Sequence, residues 1–226
     1  TILFVEDFSF KSKKGVISAY EIDNEGYKNI GIAIEEKFHL SYPFIIKEEN
    51  DIFMIPESNK AKEIRIYKCL QFPLKWVLEE VLIKDVSAVD TNIFKFNNRY
   101  WMFTNIDSSK SGDYSSELHI FYSNNLISQD WKPHKNNPVI FDSNQARNGG
   151  MIFSENNKIF RVFQKQGFDM YGKSLGVSEI KTLNEDQYNE EILINVEPKF
   201  FKNIKGTHSF CFNSNILAVD FVKYQK

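Results

Sequence analysis

An all-β fold, specifically a five-bladed β-propeller, is predicted by three observations: a repeated hairpin, the spacing of its turns, and a composition rich in aromatic residues. A strand, a short polar turn and a second strand recur at 44–57, 92–105, 151–164 and 209–220, and each second strand ends in a carboxylate or amide, at Glu57, Asn105, Gln164 and Asp220. Tandem units of this kind mark propellers. By subtraction, the turn asparagines Asn50, Asn98, Asn157 and Asn215 lie 48, 59 and 58 residues apart, close to the roughly 40–50 residues of a four-stranded blade. The 21 Phe and 10 Tyr favour strands, and a chain of 226 residues that is 42% hydrophobic can bury a large core.

The N-terminal stretch reads as an incomplete blade, with second, third and fourth strands at 2–6, 15–21 and 30–35 and no first strand, so the natural chain is expected to begin upstream of Thr1. After each later hairpin a third strand follows, at 63–67, 117–122 and 171–177, in which β-branched and aromatic residues alternate with polar ones. A fourth strand at 76–83 closes the second blade. Residues 106–116, with five Ser among Asp, Lys and Gly, read as a long connection between second and third strands. One or two helical turns are expected around 182–190, where Asn184-Glu185-Asp186-Gln187 resembles a helix start. Trp131, His134, Asn137 and Pro138 read as a structural strand-to-loop transition. No linker interrupts the sequence, so residues 1–226 are expected to form one propeller domain of a longer chain.

The charge balance, 28 basic against 30 acidic residues with no basic block, argues against a nucleic-acid partner. No run reaches the ~18 apolar residues of a membrane span. Cys69 and Cys211 read as buried free thiols, which favours a reducing, cytoplasmic location. The four His show no HxH or HxxxH spacing, so no metal is expected. No dinucleotide, P-loop or serine-hydrolase signature occurs, and no cofactor is implied.

In a propeller the first strand of each blade lines a central channel, and residues that start first strands or end second strands meet at its mouth. That rule places Glu6, Tyr42, Glu57, Asp90, Arg147, Gln164, His208 and Asp220 in one pocket, with His39, Ser41, Asn105 and Thr207 beside them. Carboxylates facing one pocket suit glycosyl chemistry, in which one acts as proton donor and another as base or nucleophile. Asp90 and Glu57 are the candidate pair; Tyr42, Arg147, Gln164, His208, Asp220 and Glu6 are the candidate substrate-binding residues. Structural alternatives stand beside these roles: a turn acceptor for Glu57, an Asx-turn for Asp90, a surface position for Arg147 and a satisfied core histidine for His208. Gly149 and Gly150, just after Arg147, point to a close approach of backbone or ligand.

An ordered series of motifs then resembles a known family. His39-Leu40-Ser41-Tyr42-Pro43-Phe44, Ile55-Pro56-Glu57-Ser58, Phe72-Pro73 with Trp76, Asp90-Thr91 with Trp101, Arg147 with Gly150, Arg161 with Gln164, Tyr171-Gly172, and Gly206-Thr207-His208 with Asp220 are similar to the domain at the N-terminus of glucosamine inositolphosphorylceramide transferases. The resemblance spans residues 3–220. It implies a five-bladed propeller related to glycoside hydrolase family 43 and a place in surface-polysaccharide biosynthesis, with a sugar or nucleotide sugar as ligand. It also implies a fused or associated transferase domain, to which the family's transferase activity is attributed. The sequence departs from the pattern in three places. The Asp-Pro-Phe first strand is absent, Arg-Pro-Ala-Gly appears as Arg147-Asn148-Gly149-Gly150, and Gln-Asp appears as Gln164-Lys165. Two functions follow as expectations: glycosyl transfer or hydrolysis on a glycoside or nucleotide sugar, or non-catalytic binding of such a ligand for a partner transferase.

Overall fold

A computed structural model describes residues 1–168, 170–213 and 216–223. Among them the chain is all-β apart from a 3₁₀ turn at Asn59–Ala61. It divides into two compact units: Thr1–Thr91, Lys95–Tyr100 and Ser123–Trp131 form the first, and Asn92–Phe94, Trp101–Tyr122 and Lys132–Lys226 the second.

The first unit opens with β1 (Ile2–Ser9), β2 (Lys14–Asp23) and β3 (Gly26–Ile34), an antiparallel sheet in chain order. A second sheet follows in the same manner, from β4 (Ser41–Glu48) and β5 (Asp51–Glu57) to β6 (Glu63–Gln71) and β7 (Lys75–Lys84). Ile17 and Ala19 of β2 share one face, and β5 is buried continuously from Phe53 to Pro56; Ile17, Ala19 and Met54 pack with Ala33, Ile34, Leu40 and Tyr67. Phe4 meets the Trp76 ring edge-on at 5.6 Å, and Tyr67 donates its hydroxyl to Glu36 at 2.8 Å. This core joins the two sheets through apolar burial while satisfying its polar atoms.

The third sheet contains β8 (Ala88–Phe96), β9 (Arg99–Ile106), β10 (Glu117–Ser123), β11 (Lys132–Pro133) and β12 (Ile140–Phe141), in the order β11-β10-β9-β8 with β12 also on β10. Within the second unit, Asn137 acts as a surrogate strand: its side-chain oxygen accepts from Ile120 N at 2.8 Å, and its amide donates to Ile120 O at 2.7 Å. The serine-rich connection is ordered around two carboxylates. Asp107 accepts from Gly112 N and Ser109 Oγ, and Asp113 from Ser115 N and Ser116 Oγ.

The second unit is completed by β13 (Asn148–Glu155), β14 (Lys158–Lys165), β15 (Ser174–Leu183), β16 (Tyr188–Val196), β17 (Ile204–Gly206), β18 (Phe210–Phe212), β19 (Leu217–Val219) and β20 (Val222–Lys223). β13 to β16 pair antiparallel, β17 pairs β20, and the β18–β19 hairpin joins the free edge of β13 through a parallel contact at Gly150 and Phe210. A Cβ at Gly150 would stand 1.9 Å from Phe210 O, and at Gly149 2.8 Å from the Phe163 carbonyl carbon. The glycine pair therefore serves backbone packing.

Hairpin turns are where sequence and structure agree most closely. Asn97 and Asn98 have φ of 50° and 58°, and Asn156 and Asn157 have 51° and 62°. Positive φ at both central residues is the type I′ geometry that matches strand twist, and Asn tolerates it. Asn215, the last of the repeated turn asparagines, lies outside the described residues.

Four expectations change. Four sheets of three or more strands are present among the described residues, rather than five, because β18 and β19 extend the sheet of β13. The expected helical turn at 182–190 is a β-hairpin: Asn184 accepts from Asp186 N and Gln187 N, so the Asx cap that resembled a helix start closes a turn instead. The third strand expected at 171–177 begins at Ser174, after a loop bent by Gly172 at φ 64°. Both thiols are free, but Cys69 is half-buried and Cys211 exposed, the latter on the three-residue strand β18.

Candidate functional site

In the first unit, the strands that carry candidate residues share a backbone distortion. Tyr42, in β4, has φ 44°, at a register shift between Ser41 and Phe44; Asp90, within β8, has φ 50°. They are 48 residues apart by subtraction, the same interval as Asn50 to Asn98, so the distortion repeats with the hairpin. Such a conformation costs a non-glycine residue on the order of 1–2 kcal/mol and tends to persist at functional positions. Asp90 is 3% exposed and Glu57, at the end of β5, is half-buried. Glu6, on β1, lies 3.5 Å from His39 Nε2, while His39 Nδ1 accepts from Gly15 N at 2.8 Å. Gly15 permits this, since a Cβ there would stand 2.8 Å from the His39 ring and 2.5 Å from Leu40 O.

In the second unit, the structure gathers Arg147 and His208 around an aromatic ring that the sequence reading left out of its site, with Asp220 paired to His208. Arg147 lies over the Tyr171 ring at 4.8 Å, a cation–π contact, and the His208 ring meets Tyr171 edge-on at 5.1 Å. His208 Nδ1 pairs with Asp220 Oδ2, while Asp220 Oδ1 accepts from His208 N at 2.9 Å and Ser209 N at 2.7 Å. Burial alone would raise the Asp220 carboxyl, but the His208 ring and these two N–H groups outweigh it and hold the carboxyl below its ordinary range. Thr207 Oγ donates to Asp220 O at 2.8 Å, fixing the same turn.

Gln164, 1% exposed, donates its amide to Asn148 O at 2.7 Å, and its backbone N–H donates to Arg147 O at 2.8 Å. It thereby holds the backbone from which Arg147 projects. Asn105 donates to Glu117 O and Ala146 O and accepts from Asn148 N, so this strand-end amide latches segments of the second unit. Beneath them Arg161, fully buried, makes a bidentate pair with Glu190 at 2.8 and 2.5 Å and donates to Gln145 O at 2.8 Å. Burial opposes ionisation of Glu190, but the Arg161 charge and the hydrogen bonds from Tyr188 and Gln145 hold its carboxyl below the ordinary range.

Tyr171 was legible as part of the Tyr171-Gly172 motif and as the start of an expected strand, not as a site residue. Its position follows from Gly172: at φ 64°, a Cβ there would lie 2.7 Å from His208 Cβ. Among the described residues no group of three or more His, Cys, Asp or Glu side chains could hold a metal ion. No helix among the described residues is long and apolar enough to cross a membrane.

Comparison with solved structures shows the fold. A Bombyx mori GH32 β-fructofuranosidase superposes with a TM-score of 0.62 at 11% identity, covering 94% of this chain and 50% of that one. An exo-1,5-α-L-arabinanase from a bovine ruminal metagenomic library gives 0.61 at 10% identity, covering 84% and 73%. The Cellvibrio cellulosa α-L-arabinanase complexed with arabinohexaose gives 0.57 at 14%, covering 84% and 73%. The fold is thus an all-β propeller. In sequence, the chain is 35% identical over 192 residues to glucosamine inositolphosphorylceramide transferase 1 of Oryza sativa subsp. japonica and, at the same identity and length, to that of Arabidopsis thaliana. The match takes in 83% of this chain and spans about a quarter of the length of those relatives, 25% in each case. Residues 2–217 match the family model described as glucosamine inositolphosphorylceramide transferase 1, N-terminal, and the chain belongs to that family.

Proposed function

We propose that this chain is a carbohydrate-active propeller that acts on a glycoside or nucleotide sugar in making or modifying a surface glycan. The observation that carries the reading is Asp90, a carboxylate only 3% exposed that is held at φ 50° inside a strand, with Tyr42 repeating the distortion one hairpin unit earlier. Asp90 and Glu57 serve as the acid and the base or nucleophile, with Tyr42 and Glu6 beside them as ligand contacts. In the second unit, Arg147 and His208 bind hydroxyl or anionic groups, Asp220 sets the His208 ring, and Gln164 holds the Arg147 backbone. The fold reading is five-bladed, with the β17–β20 pair and the β18–β19 hairpin on the edge of β13 as the pieces of an incomplete fifth blade. Glycosyl transfer and hydrolysis are assayed on the full-length protein with Asp90→Asn and Glu57→Gln, each expected to cost on the order of 10²-fold in rate. Full turnover in both variants overturns the reading.

A second reading has its own support: the relatives carry a transferase name and are about four times the length of the match, since it spans 25% of each. On this reading the propeller binds a glycan or nucleotide sugar for a transferase domain elsewhere in the protein. Saturable binding that Arg147→Ala abolishes, with no turnover by the isolated chain, is the result it requires.

A further inference from the structure

A shallow depression of about 530 Å³ lies in the second unit beside Tyr171, a size within the roughly 300–1,000 Å³ of small-molecule sites. It is walled by the β9–β10 connection at Asp113 and Ser115, by Ser143, and by the β14–β15 loop at Gln166, Phe168 and Tyr171. These segments are stitched together: Asp142 N donates to Ser116 O at 2.9 Å, Gln166 N to Ser143 O at 3.4 Å, and Gly172 N to Gln166 Oε1 at 3.0 Å.

Its walls are of two chemical kinds. Tyr171 is 51% exposed although Arg147 and His208 hold its ring, and Phe168 is fully exposed. An exposed aromatic on a loop gains nothing from folding, whereas one fixed by a cation on its ring and an imidazole at its edge is pre-ordered to stack on a ligand. The polar wall has the Ser115 and Ser143 hydroxyls, which donate to no other side chain among the described residues, and the Asp113 carboxylate, whose oxygens accept from Ser115 N and Ser116 Oγ. Flat apolar surface facing hydroxyl donors and acceptors matches a pyranose ring, which has an apolar C–H face and a rim of hydroxyls. A carboxylate in the wall disfavours an anionic substituent at the same point.

We propose that this depression is a subsite for an uncharged pyranosyl group, stacked on Tyr171 and Phe168 and hydrogen-bonded by Ser115 and Ser143. The inference rests on the carbohydrate reading and adds a ligand class and contact residues to it. The sugar is bound without bond making or breaking at this point.

Methyl β-D-glucopyranoside, methyl β-D-galactopyranoside and methyl β-D-xylopyranoside, with glucose 6-phosphate as the charged control, are titrated against the full-length protein by saturation-transfer NMR. Saturable binding of at least one methyl glycoside is expected, tighter than that of the phosphate. Tyr171→Ala and Phe168→Ala should each weaken it about fivefold or more, and Tyr171→Phe should retain it within about twofold. Because Phe168 is fully exposed, its variant keeps the test valid even where Tyr171→Ala disturbs the Arg147 and His208 contacts. Absence of binding by all three glycosides, or unchanged binding in both alanine variants, overturns the subsite. Turnover that depends on Asp90 with no such binding sinks the subsite alone, whereas loss of Asp90 dependence with glycoside binding intact sinks the catalytic reading alone.

Discussion

Gly172 and His208 are in such close contact that a Cβ added at position 172 would stand 2.7 Å from His208 Cβ and 2.9 Å from its Cγ. That contact fixes the imidazole which pairs with Asp220 and abuts Tyr171, so one glycine sets the placement of three side chains. The residue also has φ 64°, a conformation that costs an alanine about 1–2 kcal/mol. Gly172→Ala is therefore expected to destabilise the protein by at least that amount, about 2–8 °C in melting temperature. It should also weaken ligand binding at the Arg147–Tyr171–His208 cluster. A melting temperature unchanged from wild type would show that the loop moves freely away from His208.

The Arg161–Glu190 pair lies under the same region with side chains 0% and 2% exposed. Removing one member leaves the other charge buried and uncompensated, a loss of about 3–5 kcal/mol. Glu190→Gln should show that cost in urea unfolding. The double variant Arg161→Met/Glu190→Leu should recover most of it, since replacing a buried pair by apolar groups is often close to neutral. Equal losses in the single and double variants would mean that the Gln145 and Asn148 contacts, and not the charge pair, hold this core together.

Acid sensitivity follows from carboxyls that the fold holds below their ordinary range, Glu190 and Asp220 together with Glu48, Glu80, Asp107 and Glu179. Glu190 and Asp220 have folded-state values below 4.5 and 3.8, their ordinary positions. A carboxyl depressed by folding contributes stability that is fully present above its unfolded value and is lost as pH falls through the folded one. Urea midpoints should thus be flat down to about pH 5 and fall below about 4.5. Glu190→Gln should flatten that fall. A midpoint that declines equally in wild type and variant would assign the acid transition to other carboxylates.

The hairpins were legible because their information is local: Asn97-Asn98 and Asn156-Asn157 specify a turn whatever surrounds them, and the apolar run Ile52 to Ile55 marks β5 as a buried strand. The segment after β16 was not. Whether β18 forms a separate blade or joins β13 depends on a parallel contact between residues 60 apart, Gly150 and Phe210, and the glycine alone was equally compatible with a ligand. The same holds for the site. Arg147, His208 and Asp220 were singled out by their repeat positions, but Tyr171 was read as the start of a third strand and lies in the loop before it, and Arg161 carried no sign of its partner because Glu190 sat in a stretch that resembled a helix start.

Substitution at Asp90 separates strain kept for function from strain needed for folding. Asp90 holds φ 50° inside β8, where glycine would sit without steric cost. Relief of that strain, about 1–2 kcal/mol, opposes the loss of the buried side chain's interactions and the greater freedom glycine gives the unfolded chain, about 0.5–1 kcal/mol. Asp90→Gly should therefore change stability by no more than about 1 kcal/mol in urea unfolding, while removing turnover on glycosides or the binding that replaces it. Asp90→Asn, which keeps the shape and retains the strain, should lose function equally and lie no higher in stability. If Asp90→Gly instead unfolds the first unit, the carboxylate is a structural anchor of β8, and the catalytic role must move to another residue.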